Sequence, residues 1–234
     1  MSFFKQYRPS RNSMFPPGVM NLVIINGIMF IAKEFALRGM LLDMTGLLGV
    51  FHPYCPDFRW YQYITNIFMH GDFMHILFNM FGLVMFGYLL ENAYGTKRFL
   101  IFYLVCGIGA SIIYQAWASF EQYQLLLHHG YSGSFAEGIM QYPPCGPLIG
   151  ASGAVYGLLM GSALLFPNTE LPYMGFFGMP IKLKWLAVIY GGVAVANGFR
   201  MNPEDHVAHF AHIGGMIFGF ILVKIFAKSR THFY

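Results

Sequence analysis

Apolar positions in this chain gather into six runs separated by polar breaks. The first covers about Gly18 to Leu37, after a polar, basic segment closed by Pro16-Pro17. The second goes from about Asp72 to Leu90 and the third from about Phe99 to Ala118. The fourth covers Ser152 to Phe166, the fifth Trp185 to Asn197 and the sixth His206 to Phe226. Such runs, nearly free of charge, predict membrane-spanning helices. Residues 38–61 carry Asp43, His52, Asp57 and Arg59 among aromatics, too polar to span, and predict a structured loop lying in the interface. Residues 119–147 contain no Lys or Arg and predict a long loop rich in Gln, Tyr, His, Gly and Pro. No internal repeat or second domain is evident. The organisation read from this pattern is a cytoplasmic segment 1–16, a membrane domain 17–228 and a cytoplasmic tail 229–234.

Composition settles the class. The 234 residues are 56% hydrophobic and 10% charged, with a mean hydropathy of +0.52, whereas soluble domains run near a quarter charged. The chain is expected to be an integral membrane protein of one domain. No small-residue cleavage site follows the first run, so it is read as a span and not as a signal peptide. The net charge of +4 forms no basic stripe, and nucleic acid is not an expected partner. With six spans both termini share a side. Lys5, Arg8, Arg11, Lys97, Arg98, Lys182, Lys184, Lys224, Lys228 and Arg230 then face inward, against Lys33, Arg38, Arg59 and Arg200 outward. This asymmetry predicts both termini inside. Cys55 and Cys145 fall in outer loops, where a disulfide and two free thiols are both open.

Topology brings four polar side chains to one depth. The second, fourth and sixth runs all enter from the outer face. The fourth has about 15 residues, roughly 22 Å at 1.5 Å each, short of the ~30 Å hydrocarbon core. Ser152 then lies on the order of 8 Å below the outer surface. The Gly-Pro-Leu-Ile-Gly segment before it must be non-helical at membrane depth, which protein or a water-filled cavity has to surround. His212 lies roughly 9 Å down, and His75 and Asn79 about 5 and 10 Å. The i, i+4 spacing of His75 and Asn79 puts them on one helix face. Gly153, Gly157 and Gly161 on one helix, and Gly215 and Gly219 on another, are small-residue stripes that permit close backbone approach. If these stripes meet, Ser152 and His212 become neighbours.

Each of these residues has an ordinary reading. Ser152 can be a helix N-cap instead of a nucleophile. His212 can be a packed helix–helix hydrogen bonder, and His206 and His209 compete with it for any role. His206 and His212 lie roughly 120° apart around a helix. With no carboxylate or cysteine partner at depth, a metal site is not expected.

The conjunction of motifs resembles the rhomboid family of intramembrane serine proteases. Gly150-Ala151-Ser152-Gly153 opens one helix. Ala211-His212-Ile213-Gly214-Gly215-Met216-Ile217-Phe218-Gly219 lies on a later one, and His70-Gly71-Asp72-Phe73-Met74-His75-Ile76-Leu77-Phe78-Asn79 on an earlier one. Tyr156 and Glu91 also match, and the resemblance covers about residues 15–228. It implies an all-α polytopic membrane protein, a six-transmembrane-helix bundle of rhomboid type with a re-entrant loop before helix 4. It implies Ser152 as nucleophile and His212 as general base in a dyad without a carboxylate third member. His75, Asn79 and the Ser152 N–H would hold the oxyanion. Gly150 would support the site, Tyr156 would pack on the His212 ring, and residues around Gly198 to Asp205 would cap it. The fifth helix could move sideways to admit a substrate helix.

The implied activity is a serine endopeptidase cleaving single-span membrane proteins in or beside their helix, near the outer face. It needs no metal or cofactor. The simplest localisation is a bacterial inner membrane; no oligomeric state is implied. One departure stands out. Many members carry Trp-Arg where this chain has Tyr61-Gln62, which leaves the anchoring of the first outer loop open, and no role is transferred to Arg59. The alternative is an inactive rhomboid-like protein that binds membrane clients. Such relatives typically lack the serine or histidine, and both are here. A transporter would predict a deeper charged residue or repeat symmetry, and neither is present.

Overall fold

The computed structural model describes residues 16–38, 42–172, 179–200 and 208–228. The readings placed on residues 1–15, on His206 and the loop to Asp205, and on the tail 229–234 lie outside them. In chain order come α1 (Pro17–Arg38), α2 (Met44–Leu48), α3 (Gln62–Thr65), a 3-10 turn (Asn66–Phe68), α4 (Phe73–Tyr94) and α5 (Thr96–His128). Then follow α6 (Phe135–Gln141), α7 (Ser152–Leu165), β1 (Glu170–Leu171), β2 (Ile181–Lys182), α8 (Leu183–Gly198) and α9 (His209–Lys228). The fold is an all-α polytopic membrane fold. Four helices, α1, α4, α5 and α9, are long and apolar enough to cross a membrane, and α7 and α8 are shorter apolar helices.

The short helix α7 sits in the middle, packed by α4, α5, α8 and α9. Its buried residues are Gly153, Ala154, Val155, Gly157, Leu158, Leu159, Gly161, Ser162 and Ala163. Small side chains on nearly every face let four neighbours approach at once. The one polar member of that set is satisfied across the interface, Ser162 Oγ donating to Phe86 O at 3.1 Å. Around α7 lie Leu83, Phe86 and Leu90 of α4, Phe99, Phe102 and Tyr103 of α5, and Leu222 and Val223 of α9. In contrast α8 leaves Trp185, Val188, Ile189, Tyr190 and Val193 exposed.

Two expectations for the connections are corrected. Residues 119–147 are not one loop: α5 continues to His128 and α6 follows. Apolar periodicity ends near Ala118, but Glu, Gln and Leu keep the helix going in a polar environment. It stops at Gly130, which takes φ 86°, while the Tyr131 N–H returns to Leu126 O at 3.0 Å, as helix ends in left-handed glycine do. Ser134 and Glu137 then form a reciprocal capping box that starts α6. The connection before α8, read as a plain loop, holds an antiparallel pair with Glu170 opposite Lys182. The open question at the cysteines closes as a Cys55–Cys145 disulfide. It ties the connection between α1 and α4 to the segment just before Ser152.

Residues 42–61 are structured, and side chains of α5 help to hold them. Gln115 Nε2 donates to Phe51 O at 2.8 Å, Tyr63 O–H donates to Gln115 Oε1 at 2.6 Å, and His52 Nε2 pairs with Ser119 Oγ at 2.9 Å. Burial pushes the His52 imidazole below its ordinary value, so the neutral ring is the one that bonds.

At the N-terminal end of α1, Glu91 joins three elements. Its carboxylate accepts from the N–H groups of Gly18 and Val19 at 2.8 and 2.7 Å and from Thr96 Oγ1 at 2.6 Å. The first two are donors that an α-helix leaves without intrahelical partners in its first turn, and the negative charge suits that end of the helix dipole. We expect Glu91→Gln to destabilise the protein by about 1.5–3 kcal/mol, because charge-assisted bonds are lost and a buried donor is set against N–H groups. Thr96→Val, which removes one neutral donor, should cost about 0.5–1.5 kcal/mol. Unfolding in detergent measures both; equal stability of wild type and Glu91→Gln would refute the tie.

Candidate active site

The segment before α7 is held by backbone pairing. Val50 N–H donates to Leu148 O and Leu148 N–H to Val50 O, each at 2.9 Å. Gly150 N–H donates to Asn66 O at 2.9 Å. These bonds satisfy the polar groups of a non-helical segment, as backbone at membrane depth requires. Gly150 has φ 125°, a conformation side-chain-bearing residues rarely adopt. A Cβ there would also lie 2.8 Å from His75 Nε2. Two independent constraints therefore demand glycine at this position.

Ser152 does not cap its helix. Ala151 holds the cap position and makes no side-chain cap bond. The Ser152 Oγ instead pairs with His212 Nε2 at 2.9 Å. The His212 ring stacks on Tyr156 with centroids 4.1 Å apart and planes 5° apart, which fixes the imidazole orientation. His212 is 8% exposed, and its Nδ1 is buried without a hydrogen-bond partner. His209, the nearest competitor, opens α9 and meets the His212 ring edge-on at 6.1 Å. An oxygen nucleophile within hydrogen-bond reach of an oriented imidazole can lose its proton as it attacks a carbonyl.

The glycine stripes produce this distance. A Cβ on Gly215 would overlap the Gly153 carbonyl, and one on Gly219 would lie 2.5 Å from Gly157 O. The backbones of α7 and α9 are therefore in direct contact at two successive turns. Gly161 does not continue the seam: its Cβ would meet Phe102 of α5 and Leu90 of α4.

His75 and Asn79 lie on α4. The Cβ point of Gly150 is 2.8 Å from His75 Nε2 and 3.8 Å from Ser152 Oγ, so the two groups flank one glycine. Gly71 N–H donates to His75 Nδ1 at 3.3 Å. Asn79 is 6% exposed, and its Nδ2 donates to His75 O at 2.8 Å. No group of three or more His, Cys, Asp or Glu able to hold a metal occurs among the described residues.

Sequence reasoning missed the residues that shape the surroundings. Gln62, 1% exposed, anchors the connection between α1 and α4. Its Nε2 donates to Leu47 O and Asp57 O at 3.3 and 3.0 Å, and its Oε1 accepts from Arg59 N at 2.9 Å. The Arg59 guanidinium donates to nearby carbonyls, those of Pro56 and Phe58. Lys33, near the end of the first apolar run where a long side chain can snorkel, is instead buried against the start of α4. A polar residue inside an apolar run was the available signal for Lys33. For Gln62 there was the break in the family pattern.

The Rhomboid domain profile matches residues 57–229 of the chain. Over 224 residues the chain is 26% identical to RHOMBOID-like protein 12, mitochondrial, of Arabidopsis thaliana, covering 92% of this chain and 60% of that protein. It is 31% identical over 162 residues to Rhomboid protease GluP of Bacillus subtilis, covering 69% of this chain and 25% of the relative. It is 26% identical over 168 residues to Rhomboid protease AarA of Providencia stuartii, with 70% and 54% covered. The chain thus spans less than two thirds of the length of these relatives.

Gly215→Ala should push α7 and α9 apart at the level of Ser152 and His212. We expect a stability loss of about 1–3 kcal/mol and at least roughly tenfold slower labelling of Ser152 by a fluorophosphonate. Gly192→Ala is the control, since nothing lies within 4 Å of its Cβ position. Labelling at the wild-type rate in Gly215→Ala would mean that the glycine seam does not set the serine–histidine distance.

Proposed function

The chain belongs to the rhomboid family, and from that premise we propose that it is an intramembrane serine endopeptidase using Ser152 and His212. The observation that carries this reading is the 2.9 Å pair between Ser152 Oγ and His212 Nε2, in a setting where Ser152 is not spent on capping. His212 takes the hydroxyl proton as Oγ attacks the scissile carbonyl carbon. The C–O π pair moves to the oxygen, which the Ser152 N–H, His75 and Asn79 stabilise. Collapse breaks the C–N bond, and His212 returns its proton to the leaving amine. Water, deprotonated by the same imidazole, then hydrolyses the acyl-serine. Tyr156 holds the ring for both transfers, and Gly150 keeps the oxyanion side open. The chemistry calls on no metal or cofactor.

The substrates we propose are single-span membrane proteins, cut in or beside their helix near the outer face. Small or helix-breaking residues at the cut favour the extended geometry that attack requires. The exposed flank of α8 is the side on which a substrate helix would approach. The membrane domain is 17–228, with the cytoplasmic segments 1–16 and 229–234 on either side. The four long apolar helices and the shorter α7 and α8 are all read as spans, α7 and α8 reaching across with their connecting segments. Both termini face the cytoplasm, and the Cys55–Cys145 disulfide lies on the outer face, where an oxidising compartment suits it. The chain is an integral, multi-pass membrane protein. Its relatives include mitochondrial and chloroplastic plant proteins and a bacterial one, so a bacterial inner membrane is not supported.

Cleavage of a tagged single-span substrate by protein in lipid vesicles tests the reading. Ser152→Ala and His212→Ala should abolish cleavage with folding retained, and His209→Ala should leave it. His75→Ala and Asn79→Ala should each lower kcat by about 100- to 1000-fold, the range for a lost oxyanion donor. Equal cleavage by wild type and Ser152→Ala would sink the protease assignment and favour a client-binding role.

A further inference from the structure

Lys33 lies on α1, outside the catalytic motifs, yet it is buried at 7% exposed. Its Nζ donates to His70 O at 2.7 Å and to Gly71 O at 2.5 Å, and it pairs with Glu34 Oε1 at 3.3 Å. Three acceptors match the three donors of an ammonium group. The His70 carbonyl and the Gly71 N–H belong to one peptide group. That N–H donates to His75 Nδ1 at 3.3 Å. A cation on the carbonyl side polarises the peptide and strengthens donation from the opposite side.

An Nδ1 that accepts a hydrogen bond places the neutral imidazole's proton on Nε2. Nε2 is the atom beside Gly150, on the same side as Ser152 Oγ. His70 supplies a wall. Its ring stands edge-on to His75 with centroids 5.1 Å apart, and both of its nitrogens are buried without partners, so it offers His75 no competing bond.

We propose that Lys33 is a positioning residue for the oxyanion site. It holds and polarises the His70–Gly71 peptide so that His75 presents an N–H at Nε2. This rests on the reading of His75 as an oxyanion donor. A lysine that merely ties α1 to α4 would affect stability without affecting the His75 tautomer or kcat. Glu34, partly exposed, offsets some of the Lys33 charge but touches neither carbonyl.

The test joins 15N NMR of histidine-labelled protein in lipid bilayers with kcat and KM on a single-span substrate. In wild type, His75 is expected with Nε2 protonated and Nδ1 unprotonated. Lys33→Met should mix the tautomers and lower kcat about tenfold or more, with KM within about twofold. Lys33→Arg should recover part of the rate, and Gly27→Ala, also on α1 and with nothing within 4 Å of its Cβ position, should stay within about twofold of wild type. Wild-type His75 protonated at Nδ1, or unchanged kcat in a folded Lys33→Met, overturns the proposal. Should Lys33→Met fail to fold, the wild-type tautomer decides alone. Because the tautomer is read without turnover, its failure is separate from the failure of the protease reading, which Ser152→Ala cleavage reports.

Discussion

The close contact of α7 with α9 is the constraint on which the rest depends. Lipid supplies no hydrophobic drive for two apolar helices to associate, so their contact rests on packing and backbone approach. Here the carbonyls of Gly153 and Gly157 occupy the space that side chains on Gly215 and Gly219 would need. Ser152 stands one residue before the first of these contacts and His212 three residues before its partner. The register of the seam therefore sets the 2.9 Å between Oγ and Nε2. Tyr156, one turn along α7, then fits the His212 ring face to face.

The second constraint is that backbone without a helix cannot stand in hydrocarbon. Residues 147–150 solve it by pairing with Val50 and Asn66, so the connection between α1 and α4 is part of the site's foundation. That connection is held in turn by Gln62, by Gln115 and Ser119 of α5, and by the Cys55–Cys145 disulfide. Most buried polar residues in this half of the protein therefore do structural duty. Their bonds keep a short helix and its leading segment at the depth where Ser152 and His212 meet. Lys33 and Glu91 do similar service for α1 at its two ends, each joining it to backbone or hydroxyl groups around α4.

Much of this was legible in the chain itself. Apolar runs located the long helices within a few residues, apart from the end of α5, which lies ten residues beyond Ala118, because a span in lipid must be apolar over its length. The spacing of glycines around Ser152 and His212 pointed to a close helix pair, because only small residues allow it. The shortness of the Ser152 run implied a non-helical segment before it, by simple rise per residue. What the sequence could not decide were contacts between residues far apart in it. Whether Ser152 capped its helix or faced His212 depended on the relative rotation of α7 and α9. Whether Cys55 and Cys145 paired depended on the fold bringing them together. That Lys33 turned inward depended on two free carbonyls waiting before α4, and the length of α5 on polar residues continuing a helix beyond its apolar part. Local periodicity and composition determine which segments are helices and which are apolar. The juxtaposition of single polar atoms is decided only when the helices settle against one another.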